Sequence, residues 1–147
     1  MKIRQLSLFL ENRPGQLRVP CKVLGDAGID ILTMSLADTQ QFGILRLIVK
    51  DWARAKQVLE AAGQVVNVTD LLALDVPDRA GGLASVLEVF EKTGLGVEYM
   101  YAFGLRERGK AATLLFRLEE PDQAAVRLAA AGVTLVSAEE LFRRAGG

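Results

Sequence analysis

Asn12-Arg13-Pro14-Gly15-Gln16-Leu17 is echoed 66 positions later by Asp78-Arg79-Ala80-Gly81-Gly82-Leu83. Each copy follows an alternating apolar run and opens an amphipathic stretch. The stretches end alike, in Ala27-Gly28-Ile29-Asp30-Ile31 and Thr93-Gly94-Leu95-Gly96-Val97, and Met34 is matched by Met100 at the same offset. Self-similarity at this period means two copies of one small domain. A chain of 147 residues then divides into 1–70 and 71–147, the second with a short extra helix. A core of that size is marginal alone, so the copies are expected to lean on each other or on a second chain.

The first copy reads strand, helix, strand, strand, helix, strand. Leu6, Leu8 and Leu10 alternate from Lys2 to Leu10, a strand with one apolar face. Asn12 to Gly15 is a turn, with Asn12 a candidate helix cap. Leu17, Cys21, Leu24 and Ala27 recur at helical spacing, and Gly28 ends that helix. Pro20 falls inside it and is expected to remove a backbone bond and bend it. Ile31–Ala37 and Ile44–Val49 are strands around a Thr39–Gly43 turn. Asp51–Ala62 is the second helix and Val65–Thr69 the fourth strand.

The second copy follows with strands at Leu71–Val76, Val97–Phe103, Ala112–Leu118 and Val133–Val136. Its helices are the Leu83–Phe90 stripe, opening after a turn where Asp78 reads as a cap, and Pro121–Ala131. The turn Gly104 to Lys110, with Arg106, Glu107 and Arg108, reads as solvated. Ser137-Ala138-Glu139-Glu140 has the capping-box form that starts a helix. This order predicts an α+β fold, two tandem ferredoxin-like βαββαβ sandwiches with strand order 4-1-3-2. Strand 2 is then an edge in each copy, and the antiparallel sheets are expected to pair through strand 2 into one eight-stranded sheet.

Composition removes several functions. Lys+Arg and Asp+Glu are 18 each, so no net field draws in polyanions. The RNA-binding version of this topology needs aromatics on its central strands. Ile44–Val49 has none and Ala112–Leu118 only Phe116, so no nucleic-acid partner is expected. With no histidine, imidazole chemistry and His metal sites are absent. No nucleophile–base pair or ligand cluster stands out, so neither an enzyme nor a metal or cofactor is expected. Cys21 is alone and on an apolar stripe, the pattern of an inert buried thiol in a reducing compartment. No run is long enough to span a membrane and no signal peptide opens the chain. A cytoplasmic protein without a membrane partner is expected.

Phe9-Leu10-Glu11-Asn12-Arg13-Pro14-Gly15-Gln16-Leu17, Gly28-Ile29-Asp30-Ile31, Ala37-Asp38-Thr39 with Phe42-Gly43-Ile44-Leu45-Arg46-Leu47, and Glu98-Tyr99-Met100-Tyr101-Ala102-Phe103 together resemble the ACT domain, an amino-acid-binding regulatory module. The resemblance covers essentially the whole chain as a tandem pair. It implies an effector amino acid between two domains, touching the strand-1 turn of one and edge strand 2 of the other. The family's turn Asn corresponds to Asn12, and a second Asn, before strand 2, to Asp30. Leu10 stands where some serine-binding members have a ligand-contacting His, so that specificity does not transfer. The second-copy equivalents are Val76, Asp78 and Gly96; Gly96 has no side chain, which makes this the poorer site.

The residues themselves supply matching chemistry. Amides at Gly15 and Gln16, near a helix start, suit an α-carboxylate. Asp30 suits an α-ammonium, and Asn12 can serve either group. Leu17, Ile31, Met34, Met100 and Tyr101 would line the remainder, though Met and Tyr on edge strands are also ordinary interface packing. The expected function is an amino-acid-binding regulatory protein, a homodimer with the free amino acid as effector. The competing expectation is a ligand-free interaction module, a detached regulatory subunit of an amino-acid-metabolism enzyme.

Overall fold

The computed structural model describes residues 2–38, 40–103 and 111–146; Thr39 and the Gly104–Lys110 turn lie outside these. The chain divides into two compact units, 4–69 and 1–3 with 70–147. Lys2 falls with the second, and its Nζ lies 3.5 Å from Asp70 Oδ2 and 3.2 Å from Asp122 Oδ1.

The first unit contains β1 (Ile3–Glu11), α1 (Arg18–Asp26), β2 (Thr33–Asp38), β3 (Phe42–Ile48), α2 (Trp52–Ala61) and the start of β4 (Val66–Pro77). Its strand order is β2-β3-β1-β4. Leu6, Leu8 and Leu10 meet Leu45 and Leu47 on one face, under Leu24 of α1 and Leu59 of α2. Each fully buried leucine there contributes roughly 2 kcal/mol.

The second unit continues β4 and adds α3 (Gly82–Lys92), β5 (Val97–Phe103), β6 (Ala111–Leu118), α4 (Pro121–Ala130), β7 (Leu135–Val136) and α5 (Ala138–Arg144). Its order is β5-β6-β4-β7. Leu72, Leu74, Leu118 and Leu128 surround Phe90 and Phe116, whose rings meet edge-on at 5.0 Å. Ser137 caps α5, its Oγ accepting from Glu140 N at 3.2 Å, as its capping box predicts.

Four expectations need correction. Val65–Thr69 and Leu71–Val76 fall in one strand, so the described residues form seven strands where eight were expected. No Gly or Pro lies between Val65 and Val76 to break the run. Among the described residues β2 pairs with β3 and β5 with β6, and the strand order does not join β2 to β5, so the expected strand-2 pairing is absent there. Neither Asn12 nor Asp78 caps a helix: the cap positions are Leu17 and Gly81, without side-chain cap bonds. Pro20 does not interrupt α1. It is the third residue of a helix that begins at Arg18, where an amide has no intrahelical acceptor in any case.

Candidate functional site

The repeated turn is the same structure twice. In the first copy Arg13 N donates to Glu11 O at 2.9 Å and Gln16 N to Arg13 O at 3.2 Å. In the second, Arg79 N donates to Pro77 O at 2.9 Å and Gly82 N to Arg79 O at 3.0 Å. Gly15 and Gly81 take left-handed φ of +88° and +82°, which a Cβ would disfavour. The copies part at the next residue. A Cβ on Gly82 would lie 2.0 Å from Pro77 O, whereas the first copy has Gln16 there.

Asn12 acts as a latch. Its backbone N donates to Gln41 O at 2.9 Å and its Nδ2 to Gln40 O at 3.2 Å, holding the β1–α1 turn to the β2–β3 turn. Neither bond uses its Oδ1. The Gln16 amide is engaged within the turn, so the amide donors facing outward from an uncapped helix start shift toward Leu17, Arg18 and Val19. Leu17 is 40 % exposed, while Leu10 is buried opposite Gly43.

Asp30 lies elsewhere. Leu6 of β1 is level with Leu47 of β3, which is level with Met34 of β2. Asn12 is six residues beyond that row, about 20 Å along the strand. Asp30 precedes Met34 and lies on the other side of the row. Asn12 and Asp30 of one domain are therefore at opposite ends of its sheet. Asp30 is exposed, and the turn carrying it is pinned by Arg54, whose Nη2 donates to Ala27 O at 2.8 Å. Ile31 packs against the first core. Met34 is 42 % exposed on β2.

A sequence profile of the ACT domain pair matches residues 1–144. The chain belongs to the ACT domain pair family. A crystal structure of a Bacteroides thetaiotaomicron protein is similar at 34 % identity and TM-score 0.88, covering 97 % of this chain and 96 % of that one. The regulatory subunit of aspartate kinase from Thermus flavus shares the fold at 14 % identity and TM-score 0.60, over 97 % and 94 %. The ligand-free regulatory subunit from Thermus thermophilus does so at 12 % and 0.61, over 100 % and 95 %. No curated protein sequence matches the chain.

The second ACT domain presents its edge differently. Met100, opposite Phe116, packs against that domain's core, and Tyr101, opposite Leu115, is half-buried. Gly96 opens onto a polar pocket of about 230 Å³ lined also by Glu119, Glu120, Gln123 and Arg127. The Arg127 Nη1 donates to Thr93 O at 3.4 Å, the same support of the helix C-terminus that Arg54 gives in the first ACT domain. Both arginines escaped the sequence reading. Arg54 is the third residue of α2 and Arg127 the seventh of α4, so the shared role leaves no shared spacing. Among the described residues no cluster of His, Cys, Asp or Glu could hold a metal, and no helix is long and apolar enough to cross a membrane.

Proposed function

We propose that this chain is an amino-acid-binding regulatory protein that works as a homodimer, with the effector held between ACT domains. The carrying observation is the separation of Asn12 from Asp30 by more than half the length of the sheet. One amino acid can touch both only if Asn12 comes from one domain and Asp30 from another, and a dimer joined through β2 supplies that pairing. Outward amides at the start of α1 receive the α-carboxylate, Asp30 receives the α-ammonium, and Asn12 Oδ1 offers a further acceptor. Met34 and Ile31 wall an apolar side chain, and Tyr101 is assigned to the wall on the second domain's edge. Met100, packed into its own domain, is assigned to structure.

Binding at such a joint favours whichever arrangement completes the contacts, and this coupling makes the site regulatory. Titration with the twenty amino acids, read by melting temperature, tests it. A ligand at 100 times its Kd adds about 2.7 kcal/mol of stability. Silence from all twenty would remove the reading.

The likeness to aspartate kinase regulatory subunits favours a second reading, in which the chain is a separate regulatory subunit of an amino-acid-metabolism enzyme. Stoichiometric capture of one enzyme from native extract, without any ligand response, would select it.

A further inference from the structure

Two bonds tie Asn12 to the β2–β3 turn, and only one of them belongs to the sheet. Glu11 stands opposite Phe42 at the last rung of the β1–β3 pairing. Asn12 and Gln41 are the next pair in that register, so the bond from Asn12 N to Gln41 O extends the ladder. The bond from Asn12 Nδ2 to Gln40 O is not a rung. It depends on the side chain at position 12 and on the backbone at position 40. Gln40 has a left-handed φ of +68°, which a non-glycine residue keeps only where its surroundings impose it. A backbone carbonyl can only accept. The end of the Asn12 carboxamide that faces Gln40 is therefore Nδ2, and Oδ1 is the end left for other partners. An asparagine in open solvent can turn either end to a ligand; here Gln40 O selects one. The second copy has Asp78 at the equivalent position. An ionised carboxylate has no donor, so that copy cannot form the equivalent bond.

We propose that Gln40 is a positioning residue for the effector: its carbonyl holds the Asn12 side chain so that Oδ1 takes an N–H of the α-ammonium. This rests on the amino-acid-binding reading and deepens it, because it commits Asn12 to the ammonium end of the effector and not to the carboxylate. It also separates two properties that asparagine combines, an acceptor for the effector and a donor for Gln40. Asn12→Asp keeps the first and removes the second. The two ways Asn12 could work then predict opposite signs. If Oδ1 needs no holding, a carboxylate in its place makes a charge-assisted bond to the ammonium, and the effector binds as well or more tightly. If Gln40 does the holding, the carboxylate is repelled by the carbonyl that fixed the amide, and the effector binds more weakly.

Calorimetry on the full chain tests it. The probe is whichever of the twenty L-amino acids raises the wild-type melting temperature most. Asn12→Asp should weaken its binding about tenfold. Gln40→Val, a β-branched residue in a left-handed position, should weaken it roughly fivefold, and Gln40→Asn, which tolerates that backbone, should recover most of the loss. In the Asn12→Asp background Gln40→Val should cost little more, since the bond it disturbs is already gone; a merely structural turn would give additive losses. The α-amide of the same amino acid keeps the ammonium and lacks the carboxylate, and should show the same penalty from Asn12→Asp. Circular dichroism confirms that each variant is folded. Wild-type or tighter binding by folded Asn12→Asp overturns the proposal and leaves the amino-acid reading standing, as do additive losses in the double variant or a penalty that vanishes for the α-amide. A wild-type chain silent to all twenty overturns both.

Discussion

Arg144 and Asp75 lie 69 residues apart in the chain and meet at 2.8 Å. Around them Thr113 Oγ1 donates to Asp75 Oδ1 at 2.8 Å, and Arg144 Nε to Glu140 Oε1 at 2.9 Å. A seven-residue helix is too short to persist by itself, so this network and the fully buried Leu141 hold α5 in place. Arg144→Met should cost about 1 kcal/mol, small because the pair is partly exposed. It should lower hydrogen-exchange protection across 138–144 about fivefold while the rest of the second domain keeps its own. Leu141→Ala should cost about 3 kcal/mol and lower the melting temperature.

Acid should release the same helix. Hydrogen bonds from Arg143 and then Arg144 hold the Glu140 carboxyl at about 2, below its ordinary 4.5. A carboxylate lowered on folding stabilises above its unfolded value and loses that contribution as pH falls through the folded one. Protection of α5 should be full above pH 4.5 and decline toward pH 2, and Glu140→Gln should flatten the profile. A profile unchanged by that substitution would contradict the assignment.

Three glycine substitutions should give three different results. Gly82→Ala drives a Cβ against Pro77 O and should cost about 3 kcal/mol. Gly81→Ala meets no atom but keeps a left-handed φ, costing about 1 kcal/mol. Gly25→Ala, in α1 with open space around it, should stabilise by about 0.5–1 kcal/mol. Denaturant midpoints compared at constant m-value measure all three.

If Asn12 and Asp30 of one site come from different chains, defective chains should complement. Asn12→Ala and Asp30→Ala homodimers should each lose the amino-acid response. When the two are unfolded and refolded together, half the dimers are mixed. Each mixed dimer holds one intact site and one doubly defective site, so calorimetry should recover about one site in four. No recovery would place both residues in one chain's site or in none.

The repeated turn and its flanking periodicities made the fold readable. Leu6, Leu8 and Leu10 announced β1, and the capping box at Ser137 announced α5. What stayed hidden depends on distant partners. Asn12 looks like a cap because its type and position suit one; its latch to Gln40 and Gln41 exists only once β2 and β3 have turned back. Asn12 and Asp30 looked like neighbours in a site, and only strand register separates them. Arg54 and Arg127 do one task from different helical turns, which no comparison of the copies aligns.

The twelve residues of β4 give the two domains a common reading frame. Most tandem repeats can gain or lose residues where one copy ends and the next begins. Here a single residue inserted between Thr69 and Leu71 would reverse the alternation downstream, turning Leu72 and Leu74 out of their core or forcing the residues before them out of theirs. Length variation at this seam is closed to the chain, and neither domain can be excised without cutting through a strand that belongs to both.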